Sequence, residues 1–332
     1  MEQVAGIRGA SVGVDFLQFN SQATNTDAGS VLGYIGMLTS EPYNRSELLE
    51  LWWRQELFDK HLIVRLGKSN PAIDFQDVVR PVAGPHKSRE ISTVTSLLYG
   101  PIFVIPTLYG VLPSFYETAV GGTVTWIPSE EIYFSYGLYD GNKARGVSTG
   151  VVPPEFNGYY FHIAETGMNW VVGPEDKPGF FSFGGWRQTG RLSTDDDLIE
   201  EDGAEGLYFV GSQLLWYRDP EPIDDAGISG YVQLGWNNSE TLPFNYYVGA
   251  GLTARALIPR RPKDSFGVGV AWGWLNPNEY DQATELLVQG YYQAHVRGPI
   301  YTESAVSYIP EPAEESGLRP AWALTQQIIV PF

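Results

Sequence analysis

Residues 266–274 read FGVGVAWGW. Phe266, Val268, Val270, Trp272 and Trp274 share one parity, while Gly267, Gly269, Ala271 and Gly273 share the other. Alternation with a period of two is the signature of a β-strand with two unlike faces. A strand on the surface of a water-soluble sandwich carries polar groups on its outer face. Here the second face is small rather than charged, as in a crowded wall or one that lines a lumen.

The pattern recurs at about residues 11–21, 46–57, 61–69, 118–128, 131–140, 158–171 and 179–190. It continues at about 206–217, 227–237, 244–257, 265–275, 284–296, 299–309 and 321–332, giving roughly fourteen strands. Short turns such as FDKH (58–61), PSEE (128–131), GPEDKPG (173–179), PRRPKD (259–264) and RGP (297–299) separate them. These alternate with longer polar loops at 22–45, 70–117, 141–157, 191–205 and 310–320. RDPEPIDDAG (218–227) is long for the short class. Short-long alternation predicts an all-β, up-and-down antiparallel transmembrane β-barrel in an outer membrane, with tight turns facing the periplasm. With FDKH on the periplasmic side, counting strands places both chain ends there.

Composition narrows the alternatives. The 332 residues hold 21 Lys and Arg against 39 Asp and Glu, a net charge of -18. That excess of acid argues against a nucleic-acid partner, because no cationic surplus exists to displace counterions. The absence of Cys excludes disulfides, thiolate metal sites and Cys nucleophiles. A mean hydropathy of -0.17 and the lack of a long apolar run exclude helical spans, but not a barrel, whose strands average to neutral. Residues 1–10 have neither the basic start nor the apolar core of a signal peptide. The four His residues show no metal spacing, and neither a GxSxG elbow nor a phosphate loop is present. Neither an enzyme nor a cofactor or metal is therefore expected. The acidic run at 193–205 lacks EF-hand spacing and reads as a solvated external loop.

Parity assigns the inner wall. In strand 46–57, Leu49, Leu51, Trp53 and Leu57 point to lipid, and Glu50, Trp52, Arg54 and Glu56 to the lumen. In strand 61–69, Leu62, Val64 and Leu66 point out while Ile63, Arg65 and Gly67 point in. Two adjacent strands thus gather Glu50, Trp52, Arg54, Glu56 and Arg65 on one patch. Planar charged groups hydrogen-bond to vicinal hydroxyls, and an aromatic face stacks on the apolar face of a sugar ring. The same charges could instead serve only to pair with one another across strands. Tyr231, Gln233, Gln289, Tyr291 and Gln293 are further inward candidates, whereas the alternation around Glu165 and Gln213 is ambiguous. Trp126, Trp216, Trp236, Trp272, Trp274 and Trp322 lie near strand ends or on outward parity, as an interfacial aromatic girdle requires.

The segment from Glu47 to Phe75, ELLELWWRQELFDKHLIVRLGKSNPAIDF, resembles the carbohydrate-selective porins of the OprB type. A strand rich in Glu and Trp, a short Phe/Asp turn and an Arg-x-Gly-Lys strand end carry the likeness. Stretches at 136–142, 206–217, 258–270 and 285–312 resemble the same family in the same order. The resemblance implies one barrel over residues 1–332, and a family barrel of sixteen strands, so an N-terminal strand pair is expected to be missing. It also implies that the long segment 70–117, with Asp74, Arg80 and the apolar tract PIFVIPTLYGVLP (101–113), folds into the lumen as a constriction. An external lid or an oligomer contact is the alternative. The final Phe332 is similar to the terminal aromatic residue by which barrel assembly machinery selects its clients.

The sequence therefore predicts facilitated diffusion of small sugars such as monosaccharides, with Glu50, Trp52, Arg54, Glu56, Arg65, Asp74 and Arg80 lining the narrow part. Outer-membrane lipid and lipopolysaccharide are the expected surroundings, and a homotrimer is an open option. The rival readings are a general or ion-selective porin of the same architecture and a soluble all-β carbohydrate-binding protein.

Overall fold

The computed structural model describes residues 3–4, 7–36, 44–76, 96–113, 117–173, 177–194, 198–218 and 226–330. Arg80 and Phe332 lie outside the described residues. A small hairpin, β1 (Gln3–Val4) and β2 (Ile7–Arg8), precedes a single 14-stranded sheet. Its first half is β3 (Ala10–Asn20), β4 (Asn44–Leu57), β5 (Leu62–Ser69), β6 (Ala119–Trp126), β7 (Ile132–Asp140), β8 (Tyr160–Val172) and β9 (Lys177–Ser193). Its second half is β10 (Glu200–Tyr217), β11 (Gly227–Asn237), β12 (Phe244–Arg255), β13 (Ser265–Leu275), β14 (Thr284–Arg297), β15 (Ile300–Ile309) and β16 (Ala321–Ile329). Each strand pairs antiparallel with its sequence neighbour, which is the up-and-down meander expected from the turn pattern. The sheet is open between its edge strands, β3 and β16. Among the described residues no helix is long and apolar enough to cross a membrane.

The outward parity is apolar and exposed from one edge to the other. Val14, Leu51, Leu66, Phe134, Leu207, Leu234, Val248, Val268 and Leu324 all belong to it. A continuous belt of this kind far exceeds the apolar patches tolerated on proteins that face water. Aromatic residues mark its external rim. Trp236 is in register with Tyr246, and Tyr246 with Trp274, so three neighbouring strands place their rings in one row. Trp126 stacks on Phe134 at the opposite end, with centroids 5.5 Å apart.

The small face of β13 lies inside and is filled by rings. A Cβ on Gly267 would meet the Tyr291 ring at 2.7 Å, one on Gly269 the Tyr99 hydroxyl at 2.4 Å, and one on Gly273 the Phe244 ring at 2.5 Å. The glycines make space for large side chains of neighbouring strands and of the inner segment, which accounts for a face that is neither polar nor bulky.

Two details depart from parity as read in sequence. Register shifts between Asp15 and Phe16, where Phe16 pairs with Leu48 and Asp15 with Glu50. This bulge leaves Leu49 without a direct partner and makes Leu48, not Leu49, the exposed outward residue. The external connection at 191–205 is also shorter than expected, because β9 and β10 continue to Ser193 and from Glu200. Among the described acids there, Glu200 pairs with Arg191 at 3.1 Å, and Glu205 lies 3.8 Å from Arg187. Glu201 accepts hydrogen bonds from Thr241 and Ser239 of the next external loop.

Candidate functional site

On β4 and β5 the inward residues form one charged wall. Arg54 and Arg65 are direct cross-strand partners. Like charges in that position repel, but each guanidinium turns to its own carboxylate. Arg54 donates to Glu56 at 2.5 Å, and Arg65 pairs with Asp74. Asp74 also accepts from Thr123 at 3.1 Å, and Glu56 lies 3.8 Å from Lys60. The Trp52 indole donates to Glu50 at 3.0 Å, and the other oxygen of Glu50 accepts from the Asn70 amide at 2.9 Å. The Arg65 guanidinium sits over the Trp52 ring, 5.6 Å from its centroid, within cation–π range. Glu50, Trp52, Arg54, Glu56, Arg65 and Asp74 are thus brought together.

The structure separates their roles by exposure. The Arg54 side chain keeps 30% of its surface and Glu56 21%, whereas Arg65 and Asp74 keep 11% each. Arg54, Glu56 and the half-buried Trp52 ring face the open lumen. Arg65 and Asp74 tie the start of the long β5–β6 connection to the wall, where residues 71–73 form a 3-10 turn capped by Asn70.

That connection lies against the inner face of the opposite wall. The Leu98 amide donates to Gln289 at 2.7 Å, Gln233 donates to the Pro101 carbonyl at 3.0 Å, and Asn237 donates to the Thr107 carbonyl at 2.8 Å. Tyr99 and Tyr231 hydroxyls meet, and burial raises the Tyr99 phenol well above its usual range. Leu97, Ile105, Leu108 and Leu112 are buried against this wall, so the apolar tract is hidden from water by the barrel's interior.

Two staples were not legible in sequence. Glu165, of ambiguous parity, points inward and is 5% exposed. It accepts from the Tyr133 hydroxyl at 2.5 Å, the Tyr208 hydroxyl at 2.8 Å and the Gln76 amide at 2.7 Å. Gln76 in turn donates to the Phe103 carbonyl and accepts from the Ile105 amide, both at 2.7 Å, joining the two described arms of the connection. Gln213, the other ambiguous residue, lies on the outward parity and accepts from the Trp170 indole at 2.7 Å. The second staple is Glu285 at the external end of β14. Its carboxylate accepts from Ser30 Oγ at 2.8 Å, the Leu32 amide at 2.8 Å, the Val31 amide at 3.1 Å and the Ala313 amide at 2.9 Å. It therefore joins the β3–β4 loop to the β15–β16 loop across the external end of the open seam.

An open antiparallel sheet with a lipid-facing apolar belt outside, and a polar wall and packed inner segment within, defines an outer-membrane β-barrel porin. Such a protein is a channel and not an enzyme. The chain matches the carbohydrate-selective porin, OprB family, over residues 1–328 and belongs to that family. Among solved structures, it is similar to Pseudomonas putida OprB at high pH, with 15% identity and a TM-score of 0.76. The match covers 96% of this chain and 82% of that one. The low-pH structure of the same protein aligns at 16% identity and a TM-score of 0.52, covering 86% and 68% of the two chains. These likenesses bear on the fold alone. No curated protein sequence matches the chain.

Proposed function

We propose that this porin passes small neutral sugars, such as monosaccharides, by facilitated diffusion along the β4–β5 wall. In this reading residues 1–332 form one barrel, and the segment 70–117 narrows its lumen from the other side. The observation that carries it is the contrast between the two walls. Gln233 and Gln289 on β11 and β14 are fully covered, while Arg54 and Glu56 on β4 remain open. The remaining path therefore runs past the part-exposed Arg54 guanidinium, the part-exposed Glu56 carboxylate and the Trp52 indole. This combination hydrogen-bonds to vicinal hydroxyls and stacks on a ring face. Its charges are already paired, so a neutral ligand displaces water without having to compensate an ion.

A site that speeds passage must attract sugar yet release it quickly. Occupancy with a Kd on the order of 1 mM corresponds to about -4 kcal/mol, within reach of a few hydrogen bonds and one stacked ring. Uptake of labelled glucose into proteoliposomes tests this. Flux that saturates in the millimolar range is expected, and flux strictly proportional to concentration would identify a general diffusion pore instead.

A further inference from the structure

A cavity lined by both polar and apolar groups lies at the external mouth, apart from the β4–β5 wall. The loops that follow β3, β5, β7, β11, β13 and β15 enclose about 450 Å³ between them. Asn25, Tyr109, Glu117, Lys143, Tyr280 and Glu314 contribute to its lining, and none of the six wall residues above does. Small-molecule sites begin at roughly 300 Å³.

Its frame is held by interloop bonds. The Tyr109 hydroxyl donates to the Leu32 carbonyl at 3.0 Å, the Gly100 amide to the Gly33 carbonyl at 2.8 Å, and the Glu314 amide to the Gly29 carbonyl at 3.1 Å. Glu285 fixes Ser30, Val31 and Leu32 from below. A cavity whose walls are bonded to one another loses little entropy when it is filled.

The chemistry of the lining selects the ligand. The Lys143 ammonium pairs with Glu117, presenting a donor and a carboxylate side by side. Asn25 adds an amide, and Tyr109 and Tyr280 add aromatic surface. Glu314 adds a second carboxylate, and Arg45 lies close enough to act on Lys143, so the formal charges around the cavity balance. Paired charges, an amide and phenol rings suit a neutral polyhydroxylated ring.

We propose that this six-loop cavity is an outer sugar-docking subsite that loads the channel before the β4–β5 wall is reached. The proposal rests on the sugar-passage reading above.

Side-specific current block tests it, with glucose as the probe. A single Lys263→Cys, in a chain without other Cys, lets a thiol-specific tag report which way a channel is inserted. The double variant Lys143→Met/Glu117→Gln removes both charges of the pair together. External glucose should then block with an on-rate at least fivefold lower. Periplasmic glucose should keep its on-rate and dwell time within twofold. Ser148→Leu narrows the same cavity from its rim without touching the pair and should give the same one-sided loss. It keeps the test decisive if the double variant does not fold. Equal losses from both sides, or no loss from outside, overturn the outer subsite alone. Absence of glucose block from either side of the unmodified channel overturns both this subsite and the sugar-passage reading.

Discussion

Arg54 and Arg65 face each other directly across β4 and β5, yet each guanidinium is neutralised by a different carboxylate, Glu56 for Arg54 and Asp74 for Arg65. The pairing divides recognition from structure. Arg54→Ala should weaken glucose block about five- to tenfold, on the order of 1 kcal/mol, and leave the barrel folded. Arg65→Ala leaves a largely buried Asp74 bonded to Thr123 but without its counter-charge, and should cost about 3 kcal/mol. Its signature is a lower temperature for the heat-modifiable shift on gels. If Arg54→Ala leaves block intact, the recognising wall lies elsewhere.

Trp52 lies flat across Gly13, its register partner on β3. A Cβ at Gly13 would come within 2.2 Å of the indole. Gly13→Ala must therefore push the ring off the wall. Folding should survive, because the change sits at an open lumen face, whereas the dwell time of bound sugar should shorten several-fold. An unaltered dwell time would show that the indole is not a stacking surface.

Glu165 and Gln76 hold the inner segment through buried hydrogen bonds from Tyr133, Tyr208 and the backbone. Charge-assisted bonds of this type contribute roughly 1.5–3 kcal/mol each. Glu165→Ala is expected to release the segment, giving larger and noisier open-channel currents. Gln76→Ala, which leaves Glu165 all three of its donors and removes only the side-chain bonds to Phe103 and Ile105, should produce the same noise with a smaller loss of thermal stability. Quiet currents of unchanged size in both variants would contradict the staple.

The turn at 256–264 supplies a pH dependence. Burial alone would raise the pKa of Asp264. Hydrogen bonds from Tyr292, from Arg261 at 2.6 Å and from the His295 amide at 2.9 Å reverse that and hold the carboxyl below 3.8. A carboxyl whose folded pKa is depressed stabilises the fold above its unfolded pKa, and that contribution disappears as pH falls through the folded value. Stability from this group should therefore be flat from neutral pH down to about 4 and decline only below that. Asp264→Asn should flatten that acid-side decline, measured by thermal unfolding at pH 7, 4 and 3. An equally steep decline in the variant would assign the acid sensitivity to other groups.

Strand number, strand order and the lumen face of β4 and β5 were legible because alternation repeats, and each strand restates the same signal. What escaped was non-periodic. Nothing around Leu49 marks the bulge, since inserting one residue shifts parity without changing composition. Charged residues at 191–205 concealed the extensions of β9 and β10. A ladder that rises above the membrane can carry polar groups on both faces, so the apolar alternation ends before the hydrogen bonds do. Glu165, Gln76 and Glu285 act through partners far away in sequence, and a single polar residue carries no period. Asp74 is bonded to Arg65 and Thr123, which makes it an anchor of the β5–β6 connection, a role its place in the sequence does not mark.

The most direct test of the central claim is single-channel current through the purified porin as glucose is raised into the millimolar range, compared with Trp52→Ala/Arg54→Ala. Sugar passage along the β4–β5 wall predicts concentration-dependent block in the unmodified channel. In the double variant that block should fall at least tenfold while open conductance persists. Current through the unmodified channel that is indifferent to glucose, or block that survives unchanged in the variant, would contradict it.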